Sequence, residues 1–323
     1  MKKLLVIAGA TAVGKTALCI HLAAHFDTEV ISADSRQFYK EMSIGTAKPT
    51  AQEMIFVDEN NDKKVIQHHF IDSHSIHHSI SAGQFEKQAL PLIQNLFKTR
   101  NKKNDVLILT GGSGLFIQAI CDGFDEMPTI PKEIRKQLNQ ELEQKGLEIL
   151  VSELQEKDAE YAKEADLHNP QRVIRALEII RSTGKTFSEF RKQNAQNSEK
   201  RKQERTKELG FEIIKIVLDR PREELYARIN QRVLQMIEMG LVEEVTKLKP
   251  HENLLPLKTV GYQEIFDYLD GKWDLETAIS MIQQNTRRFA KRQLTWFRKD
   301  KDFIWIDVSK TDAKEKIIAL IEG

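Results

Sequence analysis

Gly9, Gly14, Lys15 and Thr16, in the stretch GATAVGKT, are spaced as G-x-x-x-x-G-K-[ST]. Glycines at this spacing let backbone N–H groups converge on an anion, and a helix starting just after them adds its positive end. Gly9, Ala10, Thr11, Ala12, Val13, Gly14, Lys15 and Thr16 therefore form a candidate phosphate cradle. Lys15 supplies a positive charge, and Thr16 a hydroxyl for Mg2+ or for a phosphate oxygen. A nucleoside triphosphatase built on such a loop carries an acid at the end of another buried strand to hold Mg2+. Here the strand in DVLILTGGSGLF runs out into Thr110-Gly111-Gly112-Ser113-Gly114, a second glycine-rich turn with no carboxylate. The acid is Asp34, which closes the strand in EVISADSRQ. A carboxylate beside a phosphate site can take a proton from an attacking nucleophile. It can equally cap the next segment or ligate Mg2+ in a kinase.

These residues must be carried by an α/β framework. Short apolar runs at residues 4–8, 29–33, 69–72, 106–110, 213–218 and 303–308 alternate with helical periods at 15–25 and 84–98, the latter kinked at Pro91. That is the pattern of a parallel sheet covered by helices, whose turns share one crevice at the carboxyl ends of the strands. After CDGFDEMP the chain turns helical and highly charged over residues 131–190, and residues 191–208 are wholly polar and read as a mobile stretch. The sheet resumes at Phe211. The reading is a catalytic core of residues 1–121 and 209–323 with a helical insertion at 122–208. The C-terminal part is helical, at 222–239 and 274–300.

Composition bounds the partners. The 323 residues carry 49 Lys+Arg against 48 Asp+Glu, so a nucleic-acid surface must come from local clusters. The apolar run at the N-terminus passes straight into the phosphate loop and reads as a buried strand rather than a signal peptide. No stretch nears the roughly 18 apolar residues of a membrane span. Cys19 and Cys121 sit in apolar helical patterns without a pairing motif, as in a reduced, cytoplasmic protein.

Seven segments, GATAVGKTAL, ISADSRQFYKEMSIGTAKP, HHFIDS, LTGGSGLFIQAI, NPQRVIRALEI, TVGYQEI and AKRQLTWFRKD, occur in the order found in bacterial tRNA dimethylallyltransferases, and the chain resembles that family from its first strand to about Asp300. The resemblance implies a P-loop NTPase-like parallel sheet flanked by helices, with an all-helical insertion domain. It implies transfer of a dimethylallyl group from dimethylallyl diphosphate to N6 of the adenosine 3′-adjacent to the anticodon of tRNA. The cradle would then hold the diphosphate of an isoprenoid, with Lys15, Thr16 and Mg2+ on the leaving group and Asp34 as the base. Ser113 stands where the family usually has Thr, near the reacting adenosine. Arg222 matches the family's diphosphate-binding arginine, and a cation in the first turn of a helix is otherwise mildly unfavourable. Contacts to the tRNA anticodon stem-loop are implied for Asp34, Ser35, Arg36, Gln37, Ser113, Arg135, Gln171, Arg172, Val173, Ile174 and Arg175. A monomer that uses no ATP is expected.

The second RNA surface is residues 277–299. Arg287, Arg288, Lys291, Arg292, Arg298 and Lys299 occur there without an acid, interleaved with Phe289, Trp296 and Phe297. The cations, Arg288, Lys291 and Arg292 foremost, read as phosphate contacts and the aromatics as core anchors. The insertion and this helix are expected to clasp one anticodon arm. His68, His69, His74, His77 and His78 lack a Cys partner for zinc, and the HHFIDS pair is read as shaping the substrate crevice. A small-molecule kinase would share the loop and Asp34 but would need an arginine-rich lid. A guanine-reading N-K-x-D element is missing.

Overall fold

The computed structural model describes residues 2–100, 105–123, 128, 130–196, 205 and 207–323. The chain divides into two compact units, residues 1–123 with 206–323 and residues 124–205. The junction after Cys121 and the polar stretch 191–208 lie partly outside the described residues. Residues 191–196 are helical rather than irregular.

The first unit is built on a six-stranded sheet of order β5-β2-β6-β1-β7-β8. Its strands are β1 (Lys3–Gly9), β2 (Val30–Ser32), β5 (His68–His69), β6 (Val106–Gly111), β7 (Glu212–Asp219) and β8 (Ile304–Asp307). All its pairings are parallel, and β1 sits at the centre between β6 and β7. The period of two sorts β1 between the faces: Leu4, Val6 and Ala8 join one buried cluster and Leu5 and Ile7 another. Helices α1 (Lys15–His25), α2 (Ala82–Arg100) and α3 (Gly114–Cys121) cover the sheet. Pro91 is accommodated inside α2. The run at 69–72 is not a strand, because Phe70 and Asp72 have positive φ of 62° and 53°, which ends β5 at His69. A small antiparallel pair, β3 (Ile55–Val57) and β4 (Lys63–Val65), stands apart from the main sheet.

The second unit is helical: α4 (Lys132–Lys145), α5 (Leu147–Lys157), α6 (Ala159–Glu164), α7 (Pro170–Thr183) and α8 (Phe187–Gln196). Leu138, Leu150, Leu154, Val173, Ile174 and Leu177 give it a core of its own. Asn169 caps α7 by accepting from the Gln171 N–H, with Pro170 at the first helical position.

The chain returns to the first unit with α9 (Arg222–Glu238), α10 (Leu241–Leu248), α11 (Tyr262–Leu269), α12 (Leu275–Phe297) and α13 (Ala313–Glu322). Val233, Leu241, Val245, Tyr262, Phe266 and Ile282 form a third buried cluster that also takes in Tyr39 and Met42.

Candidate active site

Three turns meet at the carboxyl ends of β1, β2 and β6. The β1 turn is the cradle. Gly14 has φ of 114° with nothing within 4 Å of where a Cβ would stand, so its backbone angle and not crowding demands glycine. Ala12 is also left-handed, at φ 63°, a strained residue inside a candidate binding loop. Its carbonyl accepts a 2.8 Å hydrogen bond from Arg228 Nε, which fixes that peptide.

Lys15 folds back over the loop, its Nζ donating to the carbonyls of Gly9 (3.0 Å) and Ala10 (2.9 Å). Burial pushes its ammonium down to about 8, the Asp34 carboxylate works against that, and Arg232 adds to it. Asp34 is thus close enough to act on Lys15 electrically. Thr16 is half-buried in the first turn of α1, and its hydroxyl has no hydrogen-bond partner among the described residues.

Asp34 Oδ1 accepts the Arg36 N–H at 2.9 Å, so the carboxylate does cap the segment that follows it, and its other oxygen has no donor among the described residues. Ser113 Oγ accepts the Ser35 N–H (3.0 Å) and donates to Ser35 Oγ (3.1 Å), joining the second and third turns. Arg36 is half-buried, and burial lowers its pKa while Tyr39 and Asp34 oppose the shift. Gln37 is spent on scaffolding: its amide donates to the carbonyls of Thr46 (3.3 Å) and Ala47 (3.1 Å).

The strap across the turns is Gln293, on α12 and only 7% exposed. Its Oε1 accepts the Thr11 N–H at 2.9 Å, and its Nε2 donates to the Gly112 carbonyl at 2.9 Å. A Cβ on Gly112 would lie 2.3 Å from that amide nitrogen, so close approach requires glycine there. Glu244, on α10, holds the SIGTAKP loop from below, accepting the N–H groups of Ser43 (3.1 Å), Ile44 (2.8 Å) and Gly45 (3.1 Å) and the Tyr262 hydroxyl (2.6 Å). Burial and this carboxylate push the Tyr262 hydroxyl well up.

Arg222 is not the arginine at the cradle. Six residues along an α-helix turn through about 600°, so Arg222 and Arg228 point to different faces of α9, whereas Arg228 and Arg232 share one. Arg228 and Arg232 therefore flank the loop, and burial with Arg228 nearby holds the Arg232 guanidinium low. Arg222 lies over the Tyr226 ring, 5.1 Å from its centroid.

In the helical unit, Arg135 donates to Gln171 Oε1 (3.2 Å), and Arg135 (3.4 Å) and Arg175 (3.1 Å) both pair with Glu178. Arg135, Gln171 and Arg175 are thus brought together, with Arg172 near Tyr161. Val173 and Ile174 are 0% exposed and belong to this unit's core, so their side chains cannot meet RNA. Of the six basic side chains, four on α12 and Arg298 and Lys299 just past its end, none forms an ion pair among the described residues, and Arg288, Lys291 and Arg292 are exposed. Phe297 is a core anchor, but Phe289 and Trp296 are about two-fifths exposed, contrary to the sequence reading. The histidines are dispersed, with His68 on the Ile66 carbonyl, His69 on Glu29 and His77 against the His251 ring, and no metal-ligating cluster occurs among the described residues.

Comparison with known proteins follows the same outline. A family model described as IPP transferase matches residues 37–300. The tRNA dimethylallyltransferase of Christiangramia forsetii is 50% identical over 301 residues, covering 93% of this chain and 92% of that one. The crystal structure of the tRNA isopentenylpyrophosphate transferase of Bacillus halodurans superposes with TM-score 0.67 at 35% identity, over 100% of this chain and 95% of that chain. A eukaryotic dimethylallyltransferase, captured acting on tRNA, superposes with TM-score 0.72 at 25% identity, over 99% of this chain and 78% of that chain.

Proposed function

The chain belongs to the IPP transferase family, and on that premise we propose that it is a tRNA dimethylallyltransferase. It moves the dimethylallyl group from dimethylallyl diphosphate to N6 of the adenosine 3′-adjacent to the anticodon, releasing inorganic diphosphate. The observation that carries the mechanism is the bonding of three turns into one: Ser113 holds the Ser35 N–H beside Asp34, and Gln293 ties the Ser113 turn at Gly112 to the cradle at Thr11. It sets an anion site and a carboxylate side by side in one crevice.

The chemistry divides between these groups. Lys15, Arg228 and the loop N–H groups take the charge that builds on the diphosphate as the C1–O bond breaks. N6 forms its bond to C1 and gives its proton to the free oxygen of Asp34. An exocyclic aromatic amine is a poor nucleophile, so ionising the allylic carbon and holding N6 beside it supply most of the rate. Thr16, in the first turn of α1, has a hydroxyl without a hydrogen-bond partner among the described residues and would hold a Mg2+ together with the diphosphate. When bound, that ion would neutralise the leaving group. The target base must leave its stack, at a cost of a few kcal/mol, and contacts from Arg172 and Arg175 and from Arg288, Lys291 and Arg292 to RNA phosphates offset it.

The test is transfer of label to unmodified tRNA from dimethylallyl diphosphate and from ATP in parallel. Label should pass only from the isoprenoid, to a single adenosine in the anticodon loop. ATP turnover by the pure protein without tRNA would sink the reading.

A further inference from the structure

A second cavity opens at the carboxyl ends of β7 and β8, with a volume of about 530 Å3. No residue of the cradle, of the Asp34 segment or of the Ser113 turn lines it. Its walls come from the first turn of α9 and from one face of α12. Arg222 and Tyr226 stand one turn apart on α9, and Lys291 on α12 is two turns from Arg298 at that helix's C-cap. Arg222, Lys291 and Arg298 have no carboxylate partner among the described residues, whereas Arg220, on the same wall, is held by Glu224 at 2.8 Å. Arg220 also keeps a buried Nε without a hydrogen-bond partner. The α9 N-terminus has no side-chain cap. All of this favours an anion.

Two carboxylates at the floor mean the ligand is more than an anion. Asp219 and Asp307 are register partners at the ends of β7 and β8. Each uses Oδ1 on the backbone, toward the N–H groups of Arg220 and Ser309 at 2.9 Å, with the Ser309 hydroxyl adding a 2.7 Å bond to Asp307 Oδ1, and each Oδ2 has no partner among the described residues. Against a bare phosphate or diphosphate two carboxylates would be repulsive. Hydroxyl donors satisfy them, as an acid at the end of a parallel strand does for ribose in dinucleotide sites. Tyr226 adds an aromatic ring to the wall, with the Arg222 and Arg287 guanidinium groups 5.1 and 6.0 Å from its centroid, and a planar base stacks on it as Arg222 turns from the ring to the phosphate.

We propose that this cavity binds one nucleotide unit, separate from the diphosphate cradle. The phosphate lies among Arg222, Lys291 and Arg298, the ribose hydroxyls on Asp219 and Asp307, and the base against Tyr226. The unit comes from a free mononucleotide or from a nucleotide within an RNA strand.

The site is read directly by photolabelling the full chain with 8-azidoadenosine 5′-monophosphate and mapping the adduct after trypsin. The label should fall on residues 223–228, EELYAR, and saturate. Unlabelled AMP should protect it, and adenosine or inorganic phosphate at the same concentration should protect about tenfold less well. R298A and D307N, checked for unchanged melting, should each weaken labelling by about tenfold. Protection by AMP at least as strong as by a short oligoribonucleotide assigns a free nucleotide, and protection by the oligoribonucleotide at about tenfold lower concentration than AMP assigns an RNA strand. Two results overturn the proposal: label confined to the cradle peptide, or inorganic phosphate protecting as well as AMP. Both are independent of prenyl transfer, so they leave the proposed activity to its own test.

Discussion

Replacing Gln293 with Ala tests whether α12 sets the geometry of the catalytic turns. The side-chain amide makes two hydrogen bonds of 2.9 Å, one to the cradle at Thr11 and one to the Gly112 carbonyl, from a residue only 7% exposed. Each bond contributes about 1 kcal/mol, and a buried group left without a partner costs about 1–3 kcal/mol. The truncation therefore removes about 2–4 kcal/mol of native order, shared between global stability and the placing of the two turns. If half of this falls on the transition state, kcat/KM drops by about fivefold to thirtyfold, since 1.36 kcal/mol is a factor of ten. Q293E keeps the acceptor for Thr11 but loses the donor to Gly112 and sets a negative charge beside the cradle. It should weaken diphosphate binding more than Q293A does. Single-turnover transfer, calorimetric titration of a thiolodiphosphate analogue and thermal melting separate the three effects. A Q293A protein with wild-type kcat/KM, or with all its loss in melting temperature, refutes the argument that the strap positions the turns.

Four further outcomes are expected. D34A should lower single-turnover transfer by about 10²–10⁴ while the analogue still binds, because the carboxylate serves the N6 proton; loss of donor binding instead would make it a metal ligand. R228A should weaken analogue binding by tenfold or more and by more than R222A does, as the two arginines face different sides of α9. The pKa of Lys15 is lowered from 10.5 to about 8, so the unfolded chain binds the extra proton between those values and the ligand-free protein gains stability from this group as pH rises from about 8 to 10.5. Analogue binding, which favours charged Lys15, should weaken over the same range and take up a proton, measurable by calorimetry in buffers of different ionisation enthalpy. Finally, R288A with R292A should weaken tRNA binding and flatten the slope of log affinity against log salt by about one to two units. An unchanged slope in filter binding would show these side chains to be a solvated helix face.

The site was legible in the sequence where chemistry and local backbone coincide. The cradle, the glycine turn at Gly111–Gly114 and Asp34 each follow a strand of alternating or continuous apolar residues, and those strands form the sheet. What the sequence hid depends on helix register and long-range contact. Three arginines, 222, 228 and 232, share α9, and only packing shows which two reach the loop. Glu244 and Gln293 lie far along the chain from the N–H groups they bind, and nothing in their neighbours marks them. Val173 and Ile174 stand in a basic segment, yet their apolar side chains turn to the core of the helical unit. The β3–β4 pair escaped notice because its strands are only three residues each, Ile-Phe-Val and Lys-Lys-Val, too short for a period to show.

The position of β1 has a consequence for synthesis on the ribosome. The strand that carries the cradle is bordered by β6, made after residues 10–105, and by β7, made only after the whole helical unit. One edge of β1 therefore stays unpaired while residues 112–211 emerge, which at 5–20 residues per second takes roughly 5–20 s. An open apolar edge is a template for pairing with another chain. The helical unit has its own core and local contacts, so it can condense during that wait without competing for the edge. Slow codons or a stall within residues 124–205 would lengthen the exposure, and nascent chains halted there are the ones most dependent on chaperones.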